Sequence, residues 1–478
     1  MTQTMQQVQA LPQYEITEAD KKRQKTITQA WKAYRGELDP PLQKMEGEPD
    51  DNVMSNRVKP AVRRGAGFLF GKELAISLDK SAPTDDQTFI DETWGETEAR
   101  TPLLLELDMN GSIAGCAFLR IVPEDDGTFR LVNVDPATVF MKTAPQDCET
   151  VLLWCIEYST TEKINGKDQQ VFYHEEIAAE LPDTPGTLRT TKPTSWTMQH
   201  WTKIGEKGVW RAEGSPIIWN YPFAPIFKCK NLSNPNDPWG EPNVASDLIG
   251  LNNALNLTQS NTNRVNKFYG QPWPWATGVN ESSIDIKPGK VTILPPTPES
   301  KLDAVKFTSD IAGAIAFADD LRSDGDEISS VPGVATGRIK AMPRGQLSGI
   351  AIELLFQPLM TMVNEKRCLY GKLIIDVSKA LLVLAGRNGK VKITLAWQNP
   401  LPKDDLTAIQ GAVLLMQIGI SKTTIQRNLG YDPEQEFALS QTEAAQQMEQ
   451  QQQMMAAQGV QPGQQQQGQE SPYMVRGQ

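Results

Sequence analysis

VASDLIGLNNALNLTQSNTNRVNKFY, residues 244–269, is the stretch on which the fold turns. It contains no proline and only Gly250, and it is long enough for about seven helical turns. Val244, Leu248, Leu251, Leu255, Val265 and Phe268 fall at helical spacing, while the other faces are almost entirely Asn, Gln, Ser and Thr. A helix of this kind buries little apolar area of its own. The expected setting is beside other copies of itself, or facing a wet channel.

Downstream, 270–308 changes character. GQPWPWATG leads to IDIKPGKVTILPPTPESKLDAVKF, in which Pro-rich turns separate short strand-like runs. Helical patterning returns over 309–330, so a compact β insertion sits between two helices and would bring them together antiparallel. A Gly/Pro-rich loop covers 331–349. The strongest helical periodicity follows at 347–385, with Pro358 expected to kink it and Gly386 and Gly389 to end it. KVKITLAW (390–397) reads as a strand returning to an earlier sheet. Residues 404–436 read as two short helices around Gly419. The tail, 441–478, holds 15 glutamines and is expected to lack order beyond 457.

Upstream, NPNDPWGEPN (234–243) is a dense turn cluster and a boundary. Between 71 and 230 come the runs ELAISLD, AGCAFLRIV, TFRLVNV, TVLLWCIEYS, VFYHEEIA, TSWTMQHWTKI and GVWRAEG. They predict an antiparallel meander and make the early chain α+β. A helix is expected over 86–110, broken at Pro102, and another over 56–70. There, the clustered Arg57, Lys59, Arg63 and Arg64 read as a solvated face, with a binding site as the alternative. Residues 18–36 predict a charged helix with Thr17 as N-cap, Asp20 closing an approximate capping box and Gly36 as the stop. Residues 1–16 read as loose.

The 478 residues carry 47 Lys plus Arg against 58 Asp plus Glu, a net charge of −11, which argues against a chain coating nucleic acid with its whole surface. A local basic site remains compatible with that balance. With two histidines, His174 and His200, a three-histidine metal site is excluded. Each reads as a structural or surface residue of a strand. The five cysteines show no C-x-x-C spacing and read as reduced thiols. The N-terminal residues lack a signal-peptide layout, and no segment approaches the ~20 apolar residues of a membrane span, so the expectation is a soluble intracellular chain. No G-x-x-x-x-G-K-[ST], G-x-S-x-G or H-E-x-x-H occurs. The acidic pairs Asp125/Asp126, Asp319/Asp320 and Asp404/Asp405 are sequence neighbours that do not converge on one point. No catalytic residue, metal site or cofactor is expected.

This order of elements resembles the portal protein of tailed bacteriophages. NRVKPAVRRGAGFLFGKEL (56–74) is similar to the portal N-terminal helix and its closing turn, with Glu73 where proline is common. SDLIGLNNALNLTQSNTNRVNKF (246–268) looks like the first stem helix. LSGIAIELLFQPLMTMVNEKR (347–367) looks like the helix after the tunnel loop, and ISKTTIQRNLGYDPEQE (420–436) like the crown. The resemblance spans roughly 50–440. It implies an α+β, portal-like fold: a mixed α/β wing (1–243 and 347–402), stem helices (244–269 and 309–330), a clip (270–308), a tunnel loop (331–346), a crown (403–443) and a Gln-rich tail (444–478). It further implies a ring, usually of twelve copies, at one capsid vertex of a virion assembled in the host cytoplasm. Double-stranded DNA would pass through it, and terminase, a head–tail adaptor, major capsid and scaffolding proteins would be its partners, with no membrane.

In that setting Arg338, Lys340 and Arg344 are the candidate DNA-facing cations, since a ring multiplies each loop charge about twelvefold. The alternatives are a solvated loop or intersubunit salt bridges. Trp273 and Trp275 are candidate partner-binding residues of the clip, or else a local Trp–Pro core. Two other functions compete: a cytosolic enzyme with an unrecognised site, and a different head–tail component.

Overall fold

In the computed structural model, Thr17 opens α1 (Glu18–Arg35) with a complete capping box. Its side chain accepts from the Asp20 backbone N–H while Asp20 accepts from the Thr17 N–H at 2.9 Å. Gly36 closes the helix at φ +81, a left-handed conformation that costs glycine little. The short Asp therefore serves where Glu or Gln is usual. The described residues are 11–44, 50–145, 147–181, 193–270, 273–277, 298–305, 311–337, 349–401, 411–412, 414–417, 419–429, 437 and 440–441. They fall into two units, divided between Pro400 and Leu401.

In the first unit α2 (Val58–Phe70) leads into β1 (Leu74–Leu78), then α3 (Thr84–Trp94) and α4 (Thr97–Ala114). The single helix expected over 86–110 is thus two helices, and the break is at Gly95 (φ +78), not at Pro102. Pro102 lies in the second turn of α4, where a missing N–H costs one intrahelical bond and the helix runs on.

β2 (Cys116–Pro123) is flanked by β3 (Phe129–Val134) and β9 (Ile226–Lys230) in a three-stranded antiparallel sheet. The expected meander is the five-stranded sheet of β4 (Val139–Ala144), β5 (Asp147–Ile164), β6 (Lys167–Glu180), β7 (Ser195–Ile204) and β8 (Arg211–Trp219), in sequence order. The last strand begins at Arg211 and runs to Trp219, five residues beyond the run read from sequence. β4 and β9, not foreseen, are short and carry no clean alternation. β12 (Ile393–Trp397) returns to pair with β1, in a two-stranded sheet among the described residues.

The main core forms where the 36-residue helix α7 (Gly349–Leu384) packs on α2, α3, β9 and β12, with residues of α4, β1 and β2 joining the same cluster. Leu359, Val363, Ile374, Val377 and Leu381 bury completely. α7 continues through Pro358. A second core lies on one face of the meander, around Phe118, Trp154, Ile177, Trp196 and Trp219.

Two buried polar clusters tie these layers together. Lys366 of α7 and Asp108 of α4 pair at 3.0 Å with both side chains fully buried, and Lys366 Nζ also donates to Ser112 Oγ at 2.8 Å. On the meander, His174 contacts Glu157 at 2.8 Å through Nδ1 and Glu176 at 3.1 Å through Nε2, with Cys155 Sγ beneath. Burial by itself would lower its pKa, and the bonds to Cys155, Glu157 and Glu176 outweigh it and raise it to about 11. His174 is therefore a buried imidazolium held by two carboxylates. His200 bonds Glu175, which also accepts a bidentate Arg120. Residues 11–16 are tied down here too: Tyr14 N–H donates to Glu176 at 2.6 Å, and its ring stacks on Phe140.

In the second unit, the described residues give helical positions at 411–412 and 414–417, a left-handed Gly419, and a helix at Lys422–Leu429. The Gln-rich tail beyond 441 lies outside the described residues.

Candidate channel helices and docking strands

The polar helix read from residues 244–269 is α5 (Ser246–Gly270), and its partner is α6 (Ile311–Ile328). Leu255 packs on Ala318 and Leu321. Leu248, seven residues earlier on α5, adjoins Ser329 just past the other end of α6, so the two helices run antiparallel. Between them β10 (Trp273–Thr277) pairs antiparallel with β11 (Lys301–Val305), in register from Trp273↔Val305 to Thr277↔Lys301. The intervening 278–297 lies outside the described residues.

The polar face of α5 has an occupant that sequence reading missed. Asn252, Asn256 and Ser260 are almost completely buried. Their side-chain oxygens accept from the backbone N–H groups of Arg57, Ser55 and Val53, each at 2.9 Å. The next step continues the series: Asn263 donates to the Asp51 carbonyl, and Arg264 and Lys267 each bond the Asp51 carboxylate at 3.2 Å. Those bonds, Lys267's first, hold the Asp51 carboxyl below the usual carboxylate range. Four residues of helix rise about 6 Å, and two residues of extended chain advance about 6.6 Å. The two repeats nearly coincide, so a strap formed by 51–57 runs antiparallel along α5 with alternate N–H groups satisfied. The expectation that this polar face sits beside other copies or a wet channel is corrected in part: Asn252, Asn256 and Ser260 are covered by the chain's own strap. The available signal was the spacing Asn252, Asn256, Ser260.

The outward faces differ. On α5, Gly250, Asn253, Leu257 and Asn261 are exposed, and on α6 Asp320, Asp324 and Glu327 form an acidic row at i, i+4, i+7 spacing. Among the described residues of the two helices each cation is ion-paired: Arg264 and Lys267 are committed to Asp51, and Arg322 pairs with Asp319 at 2.6 Å. Arg57, expected on a solvated face, instead pairs with Asp326 of α6 at 3.3 Å.

Trp275 is exposed (42%), pairing through its backbone with Asp303. Trp273 is set opposite Val305 in the same strand pair. Arg338, Lys340 and Arg344 lie outside the described residues. The chain before them forms a short 3-10 turn, Gly333–Thr336, capped by a left-handed Gly337. Among the described residues no three metal-ligating side chains gather, and no helix is long and apolar enough to cross a membrane.

A chain of a structure titled "Virion of native gene transfer agent (GTA) particle" aligns with a TM-score of 0.44 at 12% identity, covering 85% of this chain and 94% of that one. No curated protein matches the chain in sequence. The family model described as "Phage portal protein, SPP1 Gp6-like" matches residues 14–454, more than nine-tenths of the length. The chain belongs to the SPP1 Gp6-like phage portal protein family, and as such it is a structural component of a phage particle and not an enzyme.

Proposed function

We propose that copies of this chain form a ring, of about twelve by the family resemblance, around a channel through which double-stranded DNA is packaged and later ejected at one capsid vertex. The observation that carries this reading is the α5–α6 pair. It is a long polar helix and an acidic one, joined through a strand pair, and each of its described cations is held in an ion pair. A wall without free cations holds no phosphate tightly, as sequence-independent translocation requires. Head-to-tail contacts that close by rotation would build the ring.

In this reading α5 and α6 are the stem, and the β insertion 270–308 is the clip, the docking surface for terminase during packaging and for a head–tail adaptor afterwards. Residues 1–243 and 347–402 form the wing, 403–443 the crown, and 444–478 a tail dispensable for ring formation. Exposed Trp275 and its strand neighbour Trp273 supply aromatic contact area at the clip. Residues 331–346 are the tunnel loop, and Arg338, Lys340 and Arg344 touch passing DNA weakly. Scaffolding and major capsid proteins complete the vertex.

Native mass and negative-stain images of the full-length protein, with and without scaffolding protein, test the ring. Rings with a central hole are expected, and a monomer under both conditions would overturn the proposal. Replacing Arg338, Lys340 and Arg344 together by Ala is expected to leave rings intact and reduce packaged or retained DNA. Unchanged packaging would remove those residues from the DNA path.

A further inference from the structure

Asn–Gly steps occur at 110–111, 165–166 and 388–389. In each, a side-chain amide precedes a main-chain nitrogen whose own residue has no Cβ to hinder approach. The fold gives the three steps different surroundings.

Asn165 and Gly166 form the two-residue loop that joins β5 to β6. Their φ angles are +53 and +77, the pair of positive values a type I′ turn demands. The ladder closes through Ile164↔Lys167, so the Gly166 N–H takes no part in it. Both residues are exposed, and a Cβ added at Gly166 would meet nothing within 4 Å. Pairing with β7 stops at Val171↔Ile204, so Glu162↔Gln169, Lys163↔Asp168 and Ile164↔Lys167 stand beyond the rest of the sheet.

The other two steps are held. Gly111 is buried inside α4, where its N–H belongs to the helical ladder, and a Cβ there would collide with the Tyr370 hydroxyl. Asn388 is exposed, but its Oδ1 accepts the Lys390 N–H at 3.0 Å, and a Cβ at Gly389 would collide with Val383.

We propose that Asn165 is a site of self-modification, at which the Gly166 nitrogen closes on the Asn165 side-chain amide and the amide becomes an acid. The nitrogen gives its proton to solvent and bonds to Cγ. The Cγ–Nδ2 bond breaks, and Nδ2 takes up a proton and leaves as ammonia. Water then opens the cyclic imide. Opening at Cγ leaves aspartate, which also suits the turn. Opening at the main-chain carbonyl leaves isoaspartate, whose chain runs through Cβ and Cγ. That longer loop no longer fits a two-residue turn and frays the three outlying pairs, while the sheet beneath them keeps its core. A structural protein of a particle is not replaced after assembly, so the change accumulates with age.

The test incubates the full-length protein at neutral and mildly alkaline pH, folded and in denaturant, and maps its peptides by mass spectrometry. Conversion at Asn165 in the folded chain is expected to approach its rate in denaturant and to rise with pH, since the deprotonated nitrogen attacks. At Asn110 the folded chain is expected to convert slower than in denaturant by about a hundredfold or more, because α4 must open first. Asn388 is expected between the two. Asn165→Ser should remove the acidic form that ageing adds on isoelectric focusing, and aged wild type should exchange amide hydrogens faster at 159–170 alone. Folded protein that keeps Asn165 intact while the denatured chain converts overturns the proposal. So does folded protein in which Asn110 or Asn388 converts as fast as Asn165. Faster exchange across the whole meander would overturn the confinement of the damage to the ribbon tip.

Discussion

Replacing Lys366 by Met tests whether the buried Lys366–Asp108 pair holds the layers of the first unit together. Both side chains are fully buried, and the ammonium also donates to Ser112. Methionine keeps most of the volume, so little cavity forms, and the loss falls on electrostatics. Asp108 would then remain buried without its counter-charge, which costs about 3–5 kcal/mol. Unfolding entropy near 2.1 cal/mol/K per residue gives about 0.84 kcal/mol/K for the unit ending at Pro400. The melting temperature should therefore fall by about 4–6 °C. The assay is thermal unfolding followed by tryptophan fluorescence at pH 7, where Trp94, buried and bonded to Ser378 on the same helix as Lys366, serves as a reporter. The double variant Lys366→Met with Asp108→Leu should recover most of the loss, because no charge is then stranded. A single variant that melts within about 1 °C of wild type would refute the reasoning. So would a double variant worse than the single one, since the pair would then act by packing and not by charge.

Asn256→Leu removes the acceptor for Ser55 N–H and should cost about 1–3 kcal/mol, with faster hydrogen exchange across 51–57; unchanged exchange there would show that the strap does not depend on the ladder. His174 is raised to about 11, so its contribution is complete below its unfolded value near 6.5 and is lost as pH climbs through 11. His174→Asn should flatten that alkaline limb, and a stability profile identical to wild type between pH 7 and 11 would contradict the paired imidazolium. Gly111→Ala should cost about 1–3 kcal/mol, because an added Cβ would stand 2.0 Å from the Tyr370 hydroxyl oxygen; a neutral effect in chemical denaturation would mean that α4 and α7 can part without penalty. Deleting 457–478 should leave ring formation intact, and loss of rings on size exclusion would give the tail an assembly role.

Periodicity alone located α2, α5, α6 and α7 to within a few residues, since long elements with one consistent repeat carry their signal locally. The antiparallel meander was legible for the same reason, and the order of these elements was enough to point to the portal family that the comparison then showed. The missing motifs also argued against enzyme chemistry, because phosphate loops and nucleophile elbows are local patterns.

What the sequence could not settle were the pairings made across long separations. Asn252 reads as one more polar residue until the N–H of Arg57, 195 positions earlier, is laid against it. Nothing local to Lys366 marks it as buried, and Asp108, 258 positions earlier, arrives beside it in the core. His174 looked like an isolated strand histidine, and strand register put Glu157 and Trp201 on either side of it. In each case burial turns an ordinary polar side chain into one that must be matched. The identity of the match depends on which elements the tertiary fold brings together, and no local pattern in the chain encodes it.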